Sequence, residues 1–201
     1  MKVKQQIEQG LVALSLEPKI EVAEKLEQYI RLVAKWNKVT NLTSIDTPES
    51  MVLLHLLDSL SINPYLNGAR ILDVGSGAGL PGIPLALVNE DKHFKLLDSN
   101  GKKTRFMLQA KIELKIENID VVQSRVSDFQ GEYDHVVCRA FKAVGDFISS
   151  CSHLLAAGGT LLAMKGPAER EIPTLKGFKL KVHELHVPGS SVGRYLLEIR
   201  K

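Results

Sequence analysis

Apolar residues recur every three to four positions from the start of the chain: Val3, Ile7, Leu11 and Leu14, then Val22, Leu26, Tyr29, Ile30 and Val33. This spacing lines one face of a 3.6-residue helix, so it predicts two amphipathic helices with Pro18 marking the break between them. Residues 37–44 are polar, and Trp36, Asn37 and Asn41 are expected to follow the second helix. Thr47-Pro48-Glu49 then reads as an N-cap followed by proline at the first helical position, opening a helix to about Ser61 that Asn63-Pro64 ends.

From Arg70 onward the period changes. Short apolar runs predict strands over 70–74, 94–98, 120–123, 135–138, 160–164, 178–187 and 194–200, with helices over 82–88, 102–114 and 144–155 between them. Strand and helix alternation predicts an α/β fold with a seven-stranded, mostly parallel sheet. No helix separates the last two runs, only a loop through Pro188-Gly189, so the final strand is expected to return antiparallel. The change of pattern near Asn67-Gly68 is the one seam in the chain. It divides an N-terminal helical extension, residues 1–67, from an α/β domain, residues 68–201.

Composition narrows the function classes. At 44% hydrophobic and 24% charged, the chain of 201 residues has the means to fold around a core. Its 26 Lys and Arg against 23 Asp and Glu give a net charge of +3, which permits a nucleic-acid partner without requiring one. No apolar run approaches the ~18 residues of a membrane span, and the first residues lack the apolar core of a signal peptide, so a cytoplasmic protein with no membrane partner is expected. Cys138 and Cys151 form no CxxC, and the six histidines are scattered, so neither a disulfide nor a metal site is expected.

The densest chemical signal runs from Ile71 to Pro84, where a buried strand feeds Gly75, Gly77, Gly79 and Gly82 before a helix. Such glycines let the backbone approach a ligand at the carboxyl edge of a parallel sheet, the usual site of nucleotide-like ligands. Gly77-x-Gly79-x-x-Gly82 matches the dinucleotide fingerprint, with Asp98 about twenty residues after its first glycine. Three features weigh against a dinucleotide. Gly75 already occupies the strand end, Asp73 would bring a carboxylate toward a pyrophosphate, and Pro81 and Pro84 remove amide donors. A sulfonium ligand without phosphate, S-adenosylmethionine, fits better: Asp73 would face its methionine end and Asp98 would accept its ribose hydroxyls.

Beyond the glycine turn, a collinear series of motifs resembles the bacterial small-subunit (16S) ribosomal RNA guanine-N7 methyltransferases, the glucose-inhibited division protein B family. The series comprises Trp36-Asn37 with Asn41-Leu42-Thr43, His55 with Asp58-Ser59-Leu60, Asp73 through Pro84, Leu97-Asp98-Ser99 with Lys102-Lys103, Ser124-Arg125-Val126, Arg139-Ala140-Phe141 and Met164-Lys165-Gly166. The resemblance implies the class I S-adenosylmethionine-dependent methyltransferase fold with a helical extension, and 16S ribosomal RNA as partner, naked or in the small subunit. A monomer is the expected state. Carried over by position, Gly75, Gly77 and Leu80 would lie along the cofactor, Asp98 at its ribose, Val126 and Ser127 at the adenine and Arg139 at the active-site edge. Ser127 stands where many relatives have Glu; Asp128 is a candidate substitute.

Guanine N7 carries an in-plane lone pair and no proton, so its methylation needs positioning rather than a general base. Arg139, after the fourth strand, is the candidate to orient guanine or the methionine carboxylate, and Lys165, after the fifth, to meet RNA phosphate. A thiolate mechanism at Cys138 is set aside, because a small cysteine within a strand is ordinarily buried and inert. His55 and Asp58, three apart, are expected to pair locally on their helix. Trp36 reads as closing the helical core, and the nearby asparagines as capping turns. Lys35, Lys38, Lys102, Lys103, Arg105, Arg125, Arg139, Lys165 and Arg170 are candidates to share one basic face. Two other classes remain open on these residues: an NAD-dependent oxidoreductase, and a non-catalytic RNA-binding or assembly factor.

Overall fold

The computed structural model describes residues 2–139, 143–167 and 177–201. Ala140 and Phe141, part of the resemblance, and Arg170, part of the expected basic face, lie outside the described residues.

The N-terminal pattern forms α1 (Val3–Ala13) and α2 (Ile20–Thr40). Helix α2 runs further than the polar residues 37–44 suggested, and it ends only where Asn41 takes a left-handed conformation at φ 49°. Trp36 and Asn37 therefore belong to its last turns. Trp36 packs edge-on against Phe106 at a ring-centroid distance of 5.6 Å, while Asn37 accepts from the Thr43 amide and ties down the following loop. The third helical stretch has three parts: α3 (Pro48–Met51), a π-helical segment over Val52–Leu57, and α4 (Asp58–Leu60). Thr47 caps its start by accepting from the Ser50 amide.

The sheet contains β1 (Arg70–Val74), β2 (His93–Asp98), β3 (Ile119–Gln123), β4 (Tyr133–Cys138), β5 (Leu155–Lys165), β6 (Lys179–Leu185) and β7 (Arg194–Arg200), in the order β3-β2-β1-β4-β5-β7-β6. Neighbours from β3 through β5 pair parallel, and β7 pairs antiparallel with both β5 and β6. Helices α5 (Gly82–Val88), α6 (Gly101–Glu113) and α7 (Val144–Cys151) connect the parallel strands. The chain winds outward from β1 to β3 and then returns to β4 beside β1. That reversal opens a crevice at the carboxyl ends of the central strands, where open α/β sheets bind ligands.

The largest departures from the expected boundaries fall between α7 and β5; β4 also begins two residues early and β6 ends two residues early. The helix expected to reach residue 155 stops at Cys151, followed by a single 3-10 turn, and the strand expected from residue 160 begins at Leu155. Leu155 already pairs with Tyr133, and the register shift before the His135–Thr160 pair absorbs the intervening residues, with Gly158 at φ 76°.

Alternation along β1 separates two apolar layers. Ile71 joins one layer with Leu26, Tyr29, Leu56, Ile83, Phe94 and Phe106, while Leu72 and Val74 join the other with Phe147, Leu161 and Leu197. The N-terminal helices thus share a continuous core with one face of the sheet. Asp73 points to the same face as Ile71, beneath α5.

Candidate functional site

The glycine turn leaves β1 leaning on β2. The amides of Gly75 and Ser76 both donate to the Leu97 carbonyl, at 2.8 and 3.2 Å. Gly77 follows at φ 60°, a conformation in which any side chain is strained, and its amide donates to Asp98 Oδ2 at 2.9 Å. Asp98 Oδ1 accepts from the Asn100 amide at 2.8 Å, and Lys103 Nζ lies 3.9 Å from Oδ2. Each oxygen of this buried carboxylate therefore has one amide partner and retains acceptor capacity toward the cleft.

That cleft has a volume of about 410 Å³, and Gly75, Asp98, Ser99, Arg125, Val126 and Ser127 are among its lining residues. Of the expected cofactor residues, Gly75, Asp98, Val126 and Ser127 come together here. Gly77 supports the floor through Asp98, while Asp73 and Leu80 are buried and do not line the cleft. Val126 and Ser127 sit on a 3-10 turn over Val126–Asp128. The Ser127 hydroxyl donates to Asp128 Oδ1 at 2.8 Å, and Asp128 is not among the residues that line the cleft.

Asp73 is fully buried. Its Oδ2 accepts from the Gly82 amide at 2.9 Å, and its Oδ1 is left without a partner among the described residues. Burial pushes its carboxyl up to about 7, against the smaller opposing pull of the Gly82 bond. This carboxyl takes up the first amide of α5. A dinucleotide site needs that amide open for pyrophosphate, so the literal G-x-G-x-x-G match here is a turn built around Asp73.

A second cavity of about 190 Å³ lies at the ends of β4, β5 and β7, lined by Asp58, Arg139, Met164, Lys165, Arg194 and Tyr195 among others. The two expected catalytic residues, Arg139 and Lys165, meet here. The Arg139 guanidinium faces Asp58 Oδ2 at 3.4 Å, Ser59 Oγ at 3.4 Å and His55 Nδ1 at 3.4 Å. His55 and Asp58 thus converge on Arg139, and instead of the expected local pair His55 meets Thr43 and the Leu54 carbonyl while the Asp58 carboxylate meets Arg139 and Arg194. His55 Nε2 is held by the Thr43 hydroxyl at 2.7 Å. Burial first, and the Arg139 charge second, push the His55 ring down to about 4, so it stays neutral beside the guanidinium. Lys165 is buried at the cavity wall.

Three contributors had no site role assigned from the sequence, although Thr43 belongs to the motif series and Tyr29 to the helical pattern. Arg194 opens β7 and donates through Nε to Asp58 Oδ1 at 2.9 Å. Thr43 orients His55, and Tyr29 donates from α2 to the Ala78 carbonyl inside the glycine turn at 2.7 Å. Their signals are contacts between residues far apart in sequence. Among the basic residues, Arg125 borders the first cleft and Arg139 and Lys165 the second, whereas Lys35 lies on another surface beside Arg31 and Glu113. No group of three or more His, Cys, Asp or Glu side chains among the described residues is arranged to hold a metal ion, and no helix among them is long and apolar enough to cross a membrane.

A Rossmann-like sheet with an antiparallel β7, a glycine turn after β1 and an acid at the tip of β2 define an S-adenosylmethionine-dependent methyltransferase of the class I fold. Solved structures agree on the fold. A SAM dependent methyltransferase from Aquifex aeolicus superposes with a TM-score of 0.61 at 14% identity, covering 80% of this chain and 97% of that one. Magnesium protoporphyrin IX methyltransferase from Synechocystis, solved with bound SAM, gives 0.59 at 18% identity, covering 86% and 97%. Sequence relatives narrow the class. The family model described as GidB, rRNA small subunit methyltransferase G, matches residues 22–192. Ribosomal RNA small subunit methyltransferase G of Klebsiella pneumoniae subsp. pneumoniae is 47% identical over 183 residues, covering 88% of this chain and 87% of that protein. Its counterpart in Shewanella amazonensis is 45% identical over 204 residues, covering 98% of each. The chain belongs to the rRNA small subunit methyltransferase G family.

Proposed function

We propose that this protein transfers a methyl group from S-adenosylmethionine to N7 of a guanine in 16S ribosomal RNA. The observation that carries the reading is the pairing of two sites on adjacent strand tips: a cleft floored by Asp98, and a cationic cavity walled by Arg139, Lys165 and Arg194. It is joined by the family membership above.

The residues fit the cofactor. Asp98 keeps acceptor capacity for a ribose diol, Gly75 gives an open wall, and Val126 with Ser127 offer a slot for adenine. Leu80 and Gly77 shape the turn, and Asp73 supports it from beneath through the Gly82 amide, on the side where the methionine end would lie. When bound, the cofactor supplies an electrophilic methyl group. Arg139 presents planar donors that orient the guanine or the cofactor's carboxylate, and Lys165 places positive charge where the RNA backbone enters. No side chain has to take a proton, because N7 carries none. Residues 1–67 act as an extension that braces both sites of the domain over 68–201. The enzyme works as a cytoplasmic monomer.

The test supplies radiolabelled S-adenosylmethionine together with small subunits, or naked ribosomal RNA, from cells lacking the enzyme. Label recovered as N7-methylguanine is expected; label at another position, or none in either substrate, overturns the reading. Comparison of the two substrates shows which one the enzyme uses.

A further inference from the structure

The cavity at the β4, β5 and β7 tips is a charge arrangement that the methyl-transfer chemistry alone does not require. Asp58, 4% exposed, is gripped from two sides, by Arg194 Nε at 2.9 Å and by Arg139 Nη1 at 3.4 Å. One carboxylate between two guanidinium groups leaves the trio with a net positive charge, and Lys165 adds another cation at the same wall. The two arginines differ in what they have left. Arg139 already has partners at both terminal nitrogens, Asp58 and Ser59 at Nη1 and His55 at Nη2, each at 3.4 Å, without exhausting its five N–H donors. The bond from Arg194 to Asp58 uses only Nε.

The sheet fixes where those remaining donors sit. Lys165 pairs with Tyr195 across the antiparallel β5–β7 ladder, which sets Arg194 beside Gly166. A methyl group on Gly166 would lie 3.6 Å from Arg194 Nη1, an ordinary contact distance, which places that nitrogen directly beside the glycine. The volume of about 190 Å³ is below the roughly 300 Å³ at which sites for whole small molecules begin, and it suits a single oxyanion group. A guanidinium held by Nε, whose terminal nitrogens have no hydrogen-bond partner among the described residues, is a preformed fork for such a group.

We infer that this cavity is a backbone-phosphate subsite for the RNA substrate, in which Arg194 is the anchoring donor and Asp58 is the post that orients Arg194 and Arg139 together. The inference rests on the proposed RNA methylation and adds to it a residue and a ligand group. Phosphate contacts fix register without reading sequence, so the subsite would set the distance between the strand backbone and the base presented to the first cleft.

The test compares the wild type with Arg194→Gln, Arg194→Lys and the double variant Asp58→Asn/Arg194→Gln, the last because it removes the buried carboxylate that the single change would leave half-paired. Binding to unmethylated small subunits is measured across a salt series, KM and kcat are measured with the same particles, and S-adenosylhomocysteine affinity is measured by calorimetry. For Arg194→Gln and for the double variant, the slope of log K against log salt is expected to shrink by about one, and KM for the particle to rise about tenfold. S-adenosylhomocysteine affinity should stay within about twofold. Arg194→Lys should restore the slope while recovering only part of the KM, since it keeps the charge and loses the fork. An unchanged salt slope in both Gln variants overturns the inference. So does a fall in S-adenosylhomocysteine affinity, which would assign the oxyanion to the cofactor's carboxylate. Failure of the wild type to bind S-adenosylhomocysteine, or to methylate the particle, would instead overturn the proposed function.

Discussion

Tyr29→Phe isolates the tie between the N-terminal helices and the cofactor turn. Tyr29 is fully buried on α2, and its hydroxyl donates to the Ala78 carbonyl at 2.7 Å, in the loop between Gly77 and Gly79. Burial raises its pKa further above the ordinary phenol value, so it remains a donor at every working pH. The ring would keep its contact with Phe106, at a centroid distance of 6.5 Å, so the substitution removes little beyond the hydroxyl. It leaves the carbonyl of a 4%-exposed residue without that donor, and such a loss costs about 1–3 kcal/mol. For a chain of this length each 1 kcal/mol lowers Tm by roughly 2–4 °C. Urea unfolding followed by circular dichroism should show the loss in stability. Calorimetry with S-adenosylhomocysteine should show up to about a tenfold loss in affinity, because the freed turn also carries the Gly77 amide that holds Asp98. A stability change below about 0.3 kcal/mol would refute the value given to the buried bond. A normal loss in stability with unchanged affinity would refute its coupling to the turn.

Asp98→Ala should cost S-adenosylhomocysteine about ten- to a hundredfold in affinity, the worth of hydrogen bonds to a charged acceptor, and calorimetry reads it directly; an unchanged Kd would remove Asp98 from the cleft chemistry. Gly82→Ala places a methyl 2.2 Å from Leu96 Cδ2 and 2.8 Å from Asp73 Oδ2, so a loss of about 1–3 kcal/mol in urea unfolding is expected. Two buried groups tilt stability against pH in opposite directions. Asp73 keeps its proton in the fold up to about 7 while the unfolded chain releases it near 3.8, so its contribution declines as pH rises from about 4 to 7. His55 stays neutral in the fold down to about 4 while the unfolded chain binds a proton below 6.5, so its contribution is lost as pH falls through that window. Relative to wild type, Asp73→Asn should therefore make stability climb more steeply between pH 4 and 6.5, and His55→Gln should make it decline; parallel wild-type and variant curves would refute the assignments.

Much of the fold was legible because it rests on short-range pattern. The strands 70–74 and 194–200 and the helix 82–88 were readable to the residue, since each is a run of apolar side chains ended by glycine, proline or charge. Boundaries failed where tertiary pairing overrides propensity. Leu155 looks helical by its period and becomes extended because β4 offers it the partner Tyr133. In the candidate site, the glycine turn and Asp98 were readable from composition and spacing. Arg139 was readable as a residue that follows a strand, and Lys165, expected after the fifth strand, is its last residue; the surroundings of neither were readable. The contact between Arg194 and Asp58 spans 136 positions of sequence, and nothing near either residue announces it. The π-helical segment over Val52–Leu57 was equally silent, although it is what brings His55 toward Arg139.

These long-range contacts explain why a methyltransferase sheet carries a helical extension at all. A class I sheet can build its ligand cleft with turns from its own strands, as the bond from the Gly77 amide to Asp98 does here. A cationic cavity at the β4–β5–β7 end needs cations that stay put without collapsing onto one another, and two guanidinium groups at close range repel unless a carboxylate separates them. The strands at that end supply Arg139, Lys165 and Arg194; the separating carboxylate, Asp58, comes from the extension. The same helical stretch supplies the neutral ring of His55, which lies against Arg139 without adding charge. Asp58 is itself buried, and a buried carboxylate is costly unless both of its oxygens are paired. The arginines therefore fix the helix as firmly as the helix fixes the arginines, so the fold of the extension and the shape of the cavity are settled by one set of contacts.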